Sequence, residues 1–239
     1  MEFYIGYIIC GIAIFLAVLV AIIAQAKVQS AFNKYNDKTS SLDLTGAQLA
    51  EKLAMENGVA LTVRSCPGTL TDHYDPRDKS INISTSNFNS RSIASQAIVA
   101  HEFGHALQDA EEYFPFKVRQ AVVKASNFIS KLLLPMIIIG LILELLLFVG
   151  GGIGNIIIYI YVGIYSIAVI ANLVTLPVEF NASSRAKKML EQMGCTAPGE
   201  VEATDRLLNA AAMTYVASLL VSIAYLVRLL YILRIFNRD

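Results

Sequence analysis

His101-Glu102-Phe103-Gly104-His105 places two imidazoles four residues apart with a carboxylate beside the first. On a helix, positions i and i+4 share a face, so both rings can bind one ion at ~2.0–2.1 Å. Glu102 lies one step round, where it reaches a water on the ion rather than the ion itself. Zinc lowers the pKa of such a water to about 7, and the carboxylate takes its proton as hydroxide attacks a peptide carbonyl. The same carboxylate then returns the proton to the leaving amine. The chain holds 3 histidines, and two of them stand in this pattern, so a chance pairing on an ordinary helix is the weaker account. Gly104 disfavours a helix by about 0.5–1 kcal/mol relative to Ala, which points to close packing or substrate approach there.

A catalytic zinc takes a third protein ligand and keeps a fourth position open. The metzincin extension wants Gly three and His six residues after the second histidine; Gln108 and Glu111 stand there, and that class fails. The other arrangement supplies a Glu from a later helix. Glu179 follows an apolar segment and emerges on the side of His101. It reads equally well as an acidic residue near a helix N-terminus, where the dipole favours it. An oxyanion needs a donor besides the metal, and His73, Tyr113, Arg185 and Tyr215 are the candidates, each with a structural role as the stronger account. For His73, in Asp72-His73-Tyr74-Asp75-Pro76, that role is a turn held by aspartate side chains.

Short elements must hold these residues in place. Thr45-Gly-Ala-Gln48 has the capping-box form and opens an amphipathic helix that Gly58 ends. Val59–Arg64 and Lys79–Thr85 alternate as two strands, joined by a loop with Pro67-Gly68 and Asp75-Pro76-Arg77-Asp78. Ser80–Ser84 is either an edge that pairs an extended peptide or an ordinary hairpin strand. Ser90 or Ser92 caps the helix that carries His101 and His105. Val118, Val122, Ala125, Phe128 and Leu132 recur at helical spacing, as in a surface-lying amphipathic helix.

Around this polar region the chain is apolar. Of 239 residues 55 % are hydrophobic and 16 % charged, with mean hydropathy +0.55, which excludes disorder and disfavours a water-soluble domain. A formal net charge of zero gives no support to nucleic-acid binding. Cys10, Cys66 and Cys195 have no CxxC spacing and read as isolated thiols. Phe3–Ala26 carries no charge and is too long and too poor in leading basic residues for a signal peptide, so it reads as a retained span. Leu132–Val178 carries only Glu144; as one helix it would reach ~70 Å, so it must fold back, and Gly150, Gly151, Gly152, Gly154 and Asn155 mark the turn. Glu144 is costly in lipid and is expected to face protein or the interface. Leu207–Val227 completes four spans, and Ala210–Ala212 suits close helix packing.

Basic residues set the expected orientation. Lys27, Lys34, Lys38, Lys117, Arg119, Lys124 and Lys131 flank the long polar region, and Arg185, Lys187, Lys188 and Arg206 lie between the last two spans. Residues 27–131 and 178–206 are therefore expected in the cytoplasm, although Arg228, Arg234 and Arg238 argue the other way.

Thr45-Gly-Ala, Leu70-Thr-Asp-His-Tyr-Asp-Pro76, His101-Glu-Phe-Gly-His-Ala-Leu-Gln108, Pro177-Val-Glu-Phe-Asn-Ala-Ser-Ser-Arg185 and Ala210-Ala-Ala-Met-Thr-Tyr-Val-Ala217 resemble the YugP-type membrane neutral zinc metallopeptidases. The resemblance spans about residues 45–220 and implies kinship with HtpX-like gluzincin membrane proteases. It implies His101, His105 and Glu179 as metal ligands and Glu102 as the base. Where HtpX-like enzymes carry an Asp four residues after the ligand Glu, this chain has Ser183, a weaker partner for a ligand histidine.

The expected protein is an α-helical membrane protein of about four transmembrane helices with a small α+β, zincin-like cytoplasmic domain carrying HExxH on a helix. Its parts are a first span in 1–26, a catalytic region in 27–131, spans in 132–149 and 155–178, a cytoplasmic helix with the third ligand in 179–206, and a last span in 207–233. The expected activity is a zinc metalloendopeptidase of the cell membrane, acting on protein or peptide substrates at the cytoplasmic surface of the bilayer. Two rivals are a scaffold with a structural zinc clamp, which would have no use for Glu102, and an intramembrane protease, which the polar residues around HExxH disfavour.

Overall fold

The computed structural model describes residues 2–124 and 152–236. In chain order they form α1 (Glu2–Asn36), α2 (Gly46–Asn57), β1 (Thr62–Cys66), β2 (His73–Asp75), β3 (Ser80–Ser84), α3 (Thr85–Phe88), α4 (Ile93–Ala110), α5 (Gly152–Gln192) and α6 (Pro198–Phe236). Residues 114–124 are also helical. The chain is thus mostly helical with a small mixed sheet. The expected span 132–149, its Glu144, and Gly150 and Gly151 lie outside the described residues.

The chain divides into two compact units, one of residues 1–22, 118–175 and 215–239, the other of 23–117 and 176–214. The described residues of the first are helical. Among the described residues, three helical stretches are long and apolar enough to cross a membrane: Tyr4–Asn36, Tyr159–Gln192 and Pro198–Arg234. Ile8, Ile9, Phe15 and Leu16 on α1 are more than half exposed. A contiguous apolar face of this kind suits a hydrocarbon solvent rather than water. Gly152, Gly154 and Asn155, expected in a turn, instead begin α5, which continues through Pro177 to Gln192.

The second unit is built around α4. Thr45 caps α2, accepting from Gln48 N while Thr45 N donates to the Gln48 side chain, and Gly58 ends it at φ +65° with its N–H on Ala54 and Met55 carbonyls. Ser92 caps α4 by accepting from Ser95 N at 3.1 Å. Both caps satisfy backbone donors that the first helical turn leaves unpaired. One face of α4 (Val99, Ala100, Phe103, Ala106) packs with Leu49, Ala50 and Leu53 of α2, Ile81 and Ile83 of β3, and Ala186, Met189 and Leu190 of α5. Its first turns (Ile93, Ala94, Ala97) pack with Phe32 and Tyr35 of α1 and Ala203 and Leu207 of α6. A helix buried on so many sides must be short of charge, and α4 is.

The two strands expected from the sequence run parallel, and a third strand from the loop between them joins the sheet. Its order is β1-β3-β2, with β1 parallel to β3 (Thr62↔Ser80, Cys66↔Ser84) and β2 antiparallel to it (His73↔Asn82, Asp75↔Ser80). β3 is the central strand, so Ser80–Ser84 is not a free edge; it forms the second strand of a hairpin with β2 through residues 76–79 and pairs with β1 on its other side. The reason lies in Asp72. Its Oδ1 accepts from Ser84 N at 2.9 Å, and its Oδ2 from Ser84 Oγ at 2.8 Å and Asn87 Nδ2 at 2.9 Å. These bonds fasten the stretch expected to be a turn against the end of β3, and His73–Asp75 then pair along it.

Candidate metal centre

Every residue of the candidate site belongs to the second unit. His101 and His105 stand one turn apart on α4, their ring centroids 4.8 Å apart and their planes nearly perpendicular. Glu179, only 2 % exposed, comes from the interior of α5. It lies far from that helix's N-terminus, so the dipole account of it is not needed. Its Oε2 is 3.2 Å from His101 Nε2 and its Oε1 is 3.7 Å from His105 Nε2. One ligand atom from each of the three lies within 4.8 Å of the others.

Gly104 allows this approach. A Cβ there would meet the Ala182 carbonyl oxygen at 2.7 Å and Ala182 Cα at 3.1 Å, both main-chain atoms of α5. Without a side chain at 104, α4 and α5 come close enough for a carboxylate of one to reach two imidazoles of the other.

The chemistry of the donor set suits zinc. Two neutral imidazoles and one carboxylate are ligands zinc accepts, and ligands ~2.0–2.1 Å from a tetrahedral ion lie roughly 3.3 Å from each other. The two nitrogen–oxygen separations, 3.2 and 3.7 Å, bracket that spacing. Both Nδ1 atoms face other partners: Ser183 Oγ at 3.2 Å from His101 and Gln108 Oε1 at 2.9 Å from His105. Both Nε2 atoms therefore face the carboxylate. Phe116, buried, stacks against His105 with centroids 6.0 Å apart.

Glu102 stays outside this trio. Tyr74 N on β2 donates to its Oε2 at 3.0 Å, and Tyr74 Oη donates to Asp109 Oδ2 at 2.8 Å, so β2 is laid along α4 by two bonds. Burial, reinforced by the charges of Glu179 and Asp72 and opposed by His101 and the Tyr74 N–H, pushes the Glu102 carboxyl up to about 7. A carboxylate that titrates near neutrality is suited to taking and returning a proton.

The remaining candidates are placed differently. His73 is exposed on β2, its Nδ1 2.9 Å from the Thr71 carbonyl oxygen. Tyr113 is half-buried and donates its N–H to Gln108 O at 2.8 Å. Arg185 donates from Nε to Asn181 Oδ1 at 2.8 Å and makes a two-pronged pair with Glu111 at 2.8 and 2.7 Å. Tyr215 falls in the other unit. Sequence reasoning passed over Tyr74 and Gln108. Gln108 was open to discovery, because it follows His105 by three residues and so shares its helix face. Nothing local marks the main-chain N–H of Tyr74.

Paired imidazoles and a carboxylate from a second helix, in a chain whose described residues include three membrane-length helices, define a class: membrane-associated proteins with a zinc-type donor set. The particular family follows from comparison. The chain belongs to the family described as "Putative neutral zinc metallopeptidase", whose model matches residues 10–234. It is also 39 % identical over 210 residues to "Putative membrane protease YugP" of Bacillus subtilis (strain 168), covering 87 % of this chain and 89 % of that one. No solved structure matches the chain.

Proposed function

We propose that the protein is a membrane zinc endopeptidase of the HExxH…E type, with His101, His105 and Glu179 as ligands and Glu102 as general base and acid. The observation that carries this reading is the meeting of Glu179 with both Nε2 atoms, 78 and 74 residues apart in sequence from their partners, at 3.2 and 3.7 Å. What zinc supplies when bound is Lewis acidity, which acidifies water and polarises a carbonyl. The chain's own part is to handle the proton. Tyr74 N–H holds Glu102 Oε2, leaving Oε1 to take a proton from the attacking water and pass it to the leaving nitrogen. Removing a general base of this kind costs about 10²–10⁴-fold or more in rate.

The chain is read as crossing the bilayer four times, with 27–131 and 178–206 on the cytoplasmic side. Cysteines placed singly at exposed sites such as Glu51 and Glu56 should react with an impermeant maleimide only after the membrane is opened. Labelling of intact cells would reverse the orientation.

The decisive experiment uses the purified full chain in detergent or vesicles with a peptide library. Wild type should cleave internal bonds and lose activity to a chelator; E102Q should retain zinc at one equivalent and lose cleavage. Cleavage by E102Q at the wild-type rate would overturn the chemistry. Zinc held by a wild type that cleaves nothing would favour the structural clamp.

A further inference from the structure

Resting on the metal-site reading above, we propose that Gln108 is the positioning residue of His105: with Asn181 and Arg185 it holds the His105 proton on Nδ1 and leaves Nε2 to the ion.

The assignment follows from which atoms can only donate and which can only accept. The oxygen and nitrogen of an amide side chain are told apart by their partners. Arg185 Nε can only donate, and it lies 2.8 Å from Asn181 Oδ1, so that atom must be the amide oxygen. Arg185 itself is held by the two-pronged pair with Glu111, at 2.8 and 2.7 Å. The Asn181 oxygen is 2.9 Å from Gln108 Nε2, and the Val178 main-chain oxygen is 2.8 Å from it. Both neighbours are acceptors, so this end of Gln108 must be its NH₂, with both hydrogens in use. The other end, Oε1, then faces His105 Nδ1 at 2.9 Å, and an amide oxygen only accepts. His105 Nδ1 therefore carries a hydrogen.

The proton on one ring nitrogen is set by the hydrogen bond it makes, and the other nitrogen is left as ligand. Here the second nitrogen, Nε2, faces Glu179. Gln108 is fully buried, so no water competes for its amide. His101 has a looser partner: a serine hydroxyl can donate or accept, so Ser183 does not impose a tautomer. The two ligand histidines are thus supported unequally, and His105 is the one held by a chain of fixed donors and acceptors ending at a surface ion pair. A glutamine that merely tied α4 to α5 would need its NH₂ alone; the acceptor aimed at Nδ1 is the part a structural role does not require.

The test uses the full-length protein in micelles, labelled with ¹⁵N-histidine. With 3 histidines in the chain, the His105 signals are assigned by their loss in H105A. In zinc-free wild type at pH 8, His105 Nδ1 is expected to be protonated; an unprotonated Nδ1 overturns the proposal, and this measurement needs no Gln108 variant to fold. In Q108L the proton should shift toward Nε2, and zinc affinity, measured by competition with a chromophoric chelator, should fall about 10–100-fold. A Q108L protein with wild-type zinc affinity and an unshifted His105 overturns it, whatever its melting temperature. Wild type that binds no zinc would instead defeat the metallopeptidase reading, and the metal-free signal still reports on Gln108.

Discussion

Glu102 is held partly buried, close enough to Glu179 and Asp72 for their charges to bear on it, and with one main-chain N–H for support. Burial disfavours this carboxyl as an anion, and this has a measurable sign. Unfolded, the carboxyl loses its proton near 4.5; folded and metal-free, near 7. Between those values the folded chain binds the extra proton, so stability falls as pH rises through this window and levels off above it. E102Q removes that penalty while its amide oxygen still accepts from Tyr74. In metal-free protein, E102Q should be more stable than wild type at pH 8, by up to about 3 kcal/mol, and melt higher, with the gap closing by pH 4.5. A calorimetric pH series checks this. The same variant should cleave nothing, so stability and activity move in opposite directions at this position.

At the scale of elements, the crossing of α4 and α5 carries the site. The atoms that a Cβ at 104 would meet are the Ala182 carbonyl oxygen and Cα, which cannot turn aside as a flexible side chain would. G104A should therefore force the helices apart, costing about 1–3 kcal/mol as overpacking does. It should also weaken zinc binding by drawing Glu179 from the histidines, although residue 104 is no ligand. Thermal melts and a zinc titration on one preparation separate the two effects. The link before β2 is the second critical element. Asp72 accepts three bonds from Ser84 and Asn87, so D72A would leave those groups without their acceptor and should destabilise the second unit by about 1–3 kcal/mol. It should also lower turnover, because β2 supplies the N–H that holds Glu102.

At the scale of the whole molecule, the proposed function makes metal and membrane two external stabilisers whose effects can be measured. A ligand that binds only the folded chain raises its stability by about 2.7 kcal/mol at a hundred times Kd. Zinc should therefore raise the melting temperature of the purified protein, a chelator should reverse the rise, and H101A, H105A or E179A should abolish it. Three apolar helices with exposed isoleucine, leucine and phenylalanine side chains should keep the protein in the membrane pellet after alkaline carbonate washing and release it only to detergent. Recovery in the aqueous fraction would contradict the reading of those helices.

What could be read without coordinates is what depends on neighbours along the chain. The capping box Thr45–Gln48, the stop at Gly58, a serine cap at 90 or 92 and the one-turn spacing of His101 and His105 all follow from bonds spanning three or four residues, and each is visible in the order of side chains; the structure selects Ser92. The apolar runs are equally legible, since length and hydropathy alone decide whether a helix can live in hydrocarbon. Pairings between distant segments are another matter. That β3 lies between β1 and β2, that Tyr74 N–H reaches Glu102, and that Gln108 spends its amide on Val178, Asn181 and His105 depend on how separate elements pack. Glu179 shows the boundary between the two. Its type and neighbourhood left a ligand and a helix-end acid equally open, and only the close crossing at Gly104 brings its carboxylate to both imidazoles. Local order encodes hydrogen bonds within a turn; contact between helices arises when buried surfaces exclude solvent together, and that is decided by the tertiary structure.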